Sequence, residues 1–241
     1  MAKGGNFERE LCKKLSLWWS NGKADDWFWR TSGSGGRATM QRKNNKIKEE
    51  DFGDIKSDHP ETKEFCDLFC FEAKTGYCKK TKVKRKKDAS VTSKEVLWSV
   101  LDLLDSAQKE PQFISFWNQV ERDSKIVNKI PLLIFRRPQR KPCIAMYQGT
   151  FEIFQSFCTK KIDFPIMRFK INNPDILYKE ITVMPLYGFF SWSQGVLNEP
   201  IKRLNASLKK PVRKSKLKLK LKRKGKTNAA KPISTRKNKD G

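Results

Sequence analysis

A mixed α/β domain, with a central sheet flanked by helices, is the fold class this chain predicts, and three observations predict it. Apolar residues recur at helical spacing over residues 6–19. Short apolar runs follow at 27–30, 52–55 and 68–74, and helical spacing then returns ahead of two further apolar runs at 130–135 and 143–147. Helix, three strands, helices, two strands is the order of a layered domain built on a mixed sheet. The 241 residues suffice for one sizeable domain with extensions. Residues 1–150 are read as the core, 151–200 as a C-terminal extension packed on it, and 201–241 as a disordered Lys-rich tail.

The first helix is predicted by its apolar stripe. With Phe7 at the origin and about 100° per residue, Leu11, Leu15, Trp18 and Trp19 fall within roughly 120° of arc. Glu8 falls inside that arc and Glu10 outside it, so Glu8 points to the core side and Glu10 to water. Trp27–Arg30 reads as a strand and Thr31–Arg37 (Thr-Ser-Gly-Ser-Gly-Gly-Arg) as a flexible loop whose backbone can approach a phosphate. A strand start at Phe52–Ile55 precedes the strand Leu68–Lys74. Period-two alternation puts Phe69, Phe71 and Ala73 on one face of that strand. Leu68, Cys70, Glu72 and Lys74 share the other face, and Glu72 and Lys74 stand about 7 Å apart along it.

Residues 79–87 hold seven Lys or Arg and read as an exposed loop. A helix is expected with Val96, Leu97, Val100, Leu101 and Leu104 on one face. A second begins at Pro111, with Phe113, Phe116, Trp117 and Val120 facing the core. Ile130–Phe135 is a buried strand, Arg136–Pro142 a basic turn and Cys143–Tyr147 its partner. Beyond it, 151–158 reads as a short helix and 163–171 and 180–190 as strands. Trp18, Trp27, Trp29 and Trp117 lie on elements whose pattern implies packing, whereas Trp192 in Ser191-Trp-Ser-Gln is read as more exposed.

Charge sets the partner. Lys and Arg total 52 against 26 Asp and Glu, and 17 of those 52 lie in 201–241 beside one Asp. Such a segment cannot bury enough apolar surface to order itself, and basic arms of this kind bind nucleic acid or merely solubilise. No run approaches the ~20 apolar residues of a spanning helix. No secretory signal precedes the first helix, so cytoplasmic residence is the expectation. Cys66-x3-Cys70 with Cys78 offers zinc three thiols and no fourth ligand, and reduced, partly buried thiols are expected. The single histidine, His59, sits in a polar turn, which leaves no histidine-rich metal site and no Ser-His-Asp triad.

The candidate site is Glu8, Asp54, Glu72 and Lys74. Burying carboxylates is costly unless they pair, protonate or bind a metal. Asp54 and Glu72 are hard oxygen donors suited to Mg²⁺ or Mn²⁺, which polarise a phosphodiester and acidify water. Lys74, on the Glu72 face, can hold the attacking water and screen developing charge. Glu8 can complete the outer shell of the metal or bind a second ion.

This arrangement resembles the PD-(D/E)XK nuclease superfamily and, within it, the archaeal-type Holliday-junction resolvases, over roughly residues 3–147. Lys3-Gly-Gly-Asn-Phe-Glu8-Arg-Glu-Leu resembles the opening Gly-x-x-x-Glu-Arg helix, and Arg30-Thr-Ser-Gly-Ser-Gly the strand with its Ser/Gly loop. Gly53-Asp54-Ile55 and Phe71-Glu72-Ala-Lys74 resemble the two catalytic motifs, with Gly53 where the family has Pro. The resemblance implies a restriction-endonuclease-like core, metal held by Asp54, Glu72 and the Ala73 carbonyl, catalysis by Lys74, Glu8 as the helix carboxylate, and Ser32 near a substrate phosphate. Arg30, Ser32, Ser34, Arg37, Lys79, Lys80, Lys82, Arg136 and Arg137 are the expected DNA contacts. The function it implies is a Mg²⁺-dependent endodeoxyribonuclease acting on branched DNA as a homodimer. A restriction- or repair-type enzyme on the same core, and a DNA-binding protein on a degenerate one, are the alternatives.

Overall fold

The periodicity at 6–19 becomes helix α1 (Lys3–Trp19) in a computed structural model that describes residues 3–31, 52–76, 79–84, 91–96, 98–105, 110–172 and 178–209. Phe7, Leu11, Cys12, Leu15 and Trp18 line its buried face, together with Glu8. Ser16 fastens the helix to the next element. Its hydroxyl donates to the Cys12 carbonyl at 2.8 Å and accepts the Phe28 N–H at 3.0 Å. That strand, β1 (Phe28–Arg30), pairs antiparallel with β2 (Ile55–Ser57). A single 3₁₀ turn (Pro60–Thr62) and the short helix α2 (Lys63–Leu68) lead into β3 (Phe69–Thr75).

The next strands form a separate antiparallel ribbon of β4 (Lys79–Lys84) and β5 (Val91–Val96). The sequence reading of 79–87 as a loop is corrected over 79–84, and residues 85–87 lie outside the described residues. Strand pairing is satisfied by backbone bonds, and the β-branched Thr81, Val83, Val91, Thr92 and Val96 supply strand propensity among the lysines. The helix expected over 96–104 shrinks to the single turn α3 (Asp102–Asp105). Ser99 and Asp102 bond the local backbone there, and Leu101 and Leu104 stay exposed. Helix α4 (Gln112–Ile126) starts after Pro111, as expected, and buries Phe113, Phe116, Trp117 and Val120.

The remaining elements are β6 (Ile130–Arg136), β7 (Cys143–Tyr147), α5 (Gln148–Phe157), β8 (Met167–Asn172), β9 (Tyr178–Pro185), α6 (Leu186–Ser193) and α7 (Asn198–Lys209). The five-stranded sheet runs β3-β6-β7-β9-β8. Only β3 and β6 are parallel, and α4 lies in the crossover that parallel pairing requires. Residues 151–200 therefore contribute two strands to the sheet and are built into the core. Residues 186–190, read as strand, begin α6, whose buried Leu186, Phe189 and Trp192 recur every third position. The expected tail boundary at 201 also moves, because α7 buries Ile201 and Leu204. Residues 210–241 lie outside the described residues. No described helix is long and apolar enough to cross a membrane.

Each sheet face has its own core. Leu132 and Ile134 of β6 join Phe69, Phe71, α1, α2, α5, α6 and α7. Leu133 and Phe135, on the alternate face, pack with Phe113, Phe116, Trp117 and Val120 of α4. Each such buried side chain contributes about 1.5–3 kcal/mol. Two tryptophans exchange the roles expected of them. Trp192 is buried and its Nε1 donates to the Lys160 carbonyl at 3.0 Å, whereas Trp29 is 54% exposed.

Candidate active site

β3 is an edge strand of the sheet, and the site is assembled on its free edge and its α4 face. Gly53 has φ +85°, and a Cβ there would meet the Phe71 backbone at 3.0–3.1 Å. A proline, whose φ is fixed near −65°, cannot take this conformation, which accounts for glycine at the position before the aspartate. The turn delivers Asp54 to the strand edge. The Asp54 N–H donates to the Phe71 carbonyl at 2.8 Å, and the Ala73 N–H donates to Asp54 Oδ2 at 2.8 Å. From the other side, the Thr31 N–H donates to the Asp54 carbonyl and the Thr31 hydroxyl to the Gly53 carbonyl, at 3.1 and 2.7 Å. A residue's N–H and C=O lie on the same edge of a strand, so the Ala73 carbonyl lies on the edge where Asp54 docks.

Glu72 and Lys74 are the register partners of Leu133 and Phe135, on the face covered by α4. Both are almost wholly buried and form an ion pair. Lys74 Nζ also stands 5.9 Å from the centre of the Phe116 ring. Gln119 of α4 donates from Nε2 to Glu72 Oε1 at 2.9 Å. Asp123, one turn further along α4, is buried and its charge reaches Glu72.

Glu8 comes from α1. Arg30 Nε donates to its Oε2 at 2.6 Å, and a Cβ at Gly5 would come within 3.4 Å of the Arg30 guanidinium. Glu10, expected to face water, is held at 2.7 Å by both Lys14 and Arg136. Burial alone raises its carboxyl, but those bonds keep it below its ordinary value.

The electrostatics single out two groups. The Asp54 residue is half-buried, but its carboxyl is enclosed by protein. Burial, then the charge of Glu72, push it well above the usual carboxylate range, against the pull of the Ala73 N–H. Burial likewise raises Glu72, with Lys74 opposing. Two neighbouring carboxylates that resist ionising together mark a candidate functional site. Among the described residues no cluster of three or more His, Cys, Asp or Glu side chains is placed to hold a metal. Mg²⁺ does not require one: it binds through one or two carboxylates and retains several waters. Asp54, Glu72 and the Ala73 carbonyl fit that pattern.

The structure thus brings Glu72 and Lys74 of β3 together with Asp54, docked on the edge of that strand, while Glu8 stands beside them bound to Arg30. Arg136 bonds Glu10, reaches Thr75 Oγ1 at 3.5 Å and covers the Phe7 ring at 4.4 Å. Arg137 donates to the Trp98 carbonyl at 3.4 Å. Ser32, Ser34 and Arg37 lie outside the described residues, and Lys79, Lys80 and Lys82 are placed only by their register on β4. The described cysteines are free. Cys12, Cys66 and Cys70 are buried, and burial pushes each thiol up to about 12. Cys78, the third thiol of the zinc reading, is not described. Sequence reasoning missed Gln119 and Asp123. Their signal was spacing, since with Phe116 they form one stripe along α4.

A mixed sheet whose edge strand carries Glu72-x-Lys74 and receives an aspartate across that edge defines a nuclease of the PD-(D/E)XK class. A family model described as "Phage putative PDDEXK endonuclease" matches residues 1–198, and the chain belongs to that family. No curated protein and no solved structure matches it.

Proposed function

We propose that this nuclease is a Mg²⁺-dependent endodeoxyribonuclease selective for branched DNA and acting as a homodimer, in the manner of a junction resolvase. The observation that carries the chemistry is the docking of Asp54 on the Ala73 N–H beside the Glu72–Lys74 pair. Asp54, Glu72 and the Ala73 carbonyl would hold the ion, which when bound supplies Lewis-acid polarisation of the phosphate and acidifies water. Gln119 fixes the Glu72 carboxylate by its bond to Oε1. Lys74, enclosed between Glu72 and Phe116, orients the attacking water and offsets charge on the phosphate. Glu8 holds Arg30 at the end of β1, next to the segment that carries Asp54. Structure selectivity and dimerisation rest on the resemblance to resolvases.

The test incubates the full chain with labelled four-way junctions and linear duplexes, in Mg²⁺ or in EDTA. Junction cleavage in Mg²⁺ alone, as paired nicks and lost with Lys74→Ala, is the expected result. Absence of cleavage by the native chain, or undiminished cleavage by the variant, overturns the nuclease reading. Equal cutting of duplexes by a monomer overturns the resolvase part alone.

A further inference from the structure

The β1–β2 ribbon has one covered face and one open face. Phe28 and Ile55 are buried under it. Trp29 and Lys56 are Cα partners in the antiparallel register, so their side chains share the opposite face. That face is exposed, Trp29 to 54%. Two residues earlier Trp27 lies flat on His59, the rings 4.0 Å apart and 4° from parallel. A cleft of about 690 Å³ opens beside the ribbon, and among its lining are Lys56, Lys63, Lys129 and His59, with Asp58 and Asp67. Its volume lies within the ~300–1,000 Å³ of ordinary ligand clefts. Lys129 spends one donor on the Cys66 carbonyl at 2.8 Å.

Position ties this surface to the site. The ribbon begins at the Arg30–Ile55 pair, one residue beyond Asp54 and beside the Glu8–Arg30 ion pair. A single exposed indole is ordinary by itself, and what distinguishes Trp29 is its setting. Here the neighbouring lysines and the net charge of +26 select a polyanion. A flat aromatic among phosphate-binding lysines is the device by which proteins hold single strands, because a base offers its face only when unpaired.

We propose that the Trp29–Lys56 face and the adjoining cleft bind a single-stranded stretch of DNA, with Trp29 stacking on a base and the lysines meeting phosphates. The inference rests on the nuclease reading only in making that stretch part of the substrate. It places the unpaired region directly beside the scissile phosphate and supplies a physical basis for choosing DNA with single-strand junctions over plain duplex.

The experiment measures anisotropy of a labelled oligothymidylate of about 16 nucleotides, and of a duplex of equal length, with the full chain in EDTA. Trp29→Ala is expected to weaken single-strand binding by about 5–150-fold, the loss of one stack, and duplex binding by no more than about twofold. Trp29→Phe should restore most of the difference. Lys56→Ala should weaken both and lower the salt slope by about one. Unchanged single-strand binding by Trp29→Ala, or equal loss on both DNAs, overturns the proposal. So does a dimer that dissociates on sedimentation of Trp29→Ala, which assigns the face to a second copy. An unchanged melting temperature verifies that the variant is folded, and Trp29→Phe repeats the comparison with a ring retained. Because binding is read without metal, the two readings fail separately. Trp29-dependent binding by a chain that never cleaves sinks the nuclease reading alone. Cleavage that requires Lys74 but ignores Trp29 sinks this one alone.

Discussion

Two buried charged clusters flank α4, and they are built in opposite ways. In the first, Glu121 accepts the Tyr147 hydroxyl on one carboxylate oxygen and the Lys179 ammonium on the other, with Lys125 4.0 Å away. Glu121 and Lys179 are both buried, and together they tie α4 to β7 and β9. In the second, Asp54 and Glu72 crowd two carboxylates against one lysine, and both are pushed up. Among the described residues the first cluster is a buried ion pair closed by a hydrogen bond, whereas the second sets two raised carboxylates beside Lys74, the kind of perturbed pair that clusters at functional sites. Sequence position alone does not separate them, since Glu121 and Gln119 are two residues apart on the same helix.

The largest expected effect breaks the first cluster. Glu121→Ala leaves Lys179 buried without its carboxylate and should cost about 3–5 kcal/mol in chemical denaturation. Replacing the pair by Glu121→Leu with Lys179→Met should recover most of that loss. A Glu121→Ala protein of native stability that no longer cleaves DNA would reverse the comparison and make this cluster functional too. Lys74→Ala attacks the second cluster. Cleavage in saturating Mg²⁺ should fall by about 10²–10⁴-fold, with the fold retained by circular dichroism. Gln119→Leu is subtler, because it removes only the donor that orients Glu72. An increase of about 10–100-fold in the Mg²⁺ concentration that half-saturates a thermal-shift titration is expected. An unchanged midpoint would remove Gln119 from the site.

The parts of this picture legible in the sequence were those governed by strict periodicity. Alternation put Glu72 and Lys74 on one face of β3, and the 100° rule put Glu8 on the buried side of α1. Composition misled elsewhere. Lys79–Lys84 looked too charged for a strand, yet in a two-stranded ribbon no apolar face has to be buried. Ile201 and Leu204 were hidden among lysines although three residues apart, the spacing of a docked helix. Trp29 and Trp192 were misassigned for one reason: exposure is decided by what covers an element. The β1–β2 ribbon is covered on one side only, and α6 sits against the aromatic core. Gln119 was passed over because a glutamine beside Phe116 and Val120 reads as the polar flank of an amphipathic helix; its spacing from Phe116 marked the stripe, and only the fold aims that stripe at Glu72.

The smallest expected effect tests the electrostatic side of the comparison and has a definite sign. The Asp54 carboxyl holds its proton to a higher pH in the folded protein than in the unfolded chain, where it titrates near 3.9. Between those two values the folded state binds more protons, so the stability of the metal-free protein falls as pH rises through that window and stays low above it. Asp54→Asn removes the charge, and its amide oxygen can still accept the Ala73 N–H. The metal-free variant should therefore melt higher than the native chain at pH 7, by about 2–4 °C for each kcal/mol of repulsion relieved. The difference should close toward pH 3, where the native carboxyl is protonated in both states. Mg²⁺ should raise the melting temperature of the native chain and have little effect on Asp54→Asn. A metal-free variant that melts lower than the native chain at pH 7 would mean that Asp54 stabilises the fold through its bond to Ala73, and the contrast with Glu121 would disappear.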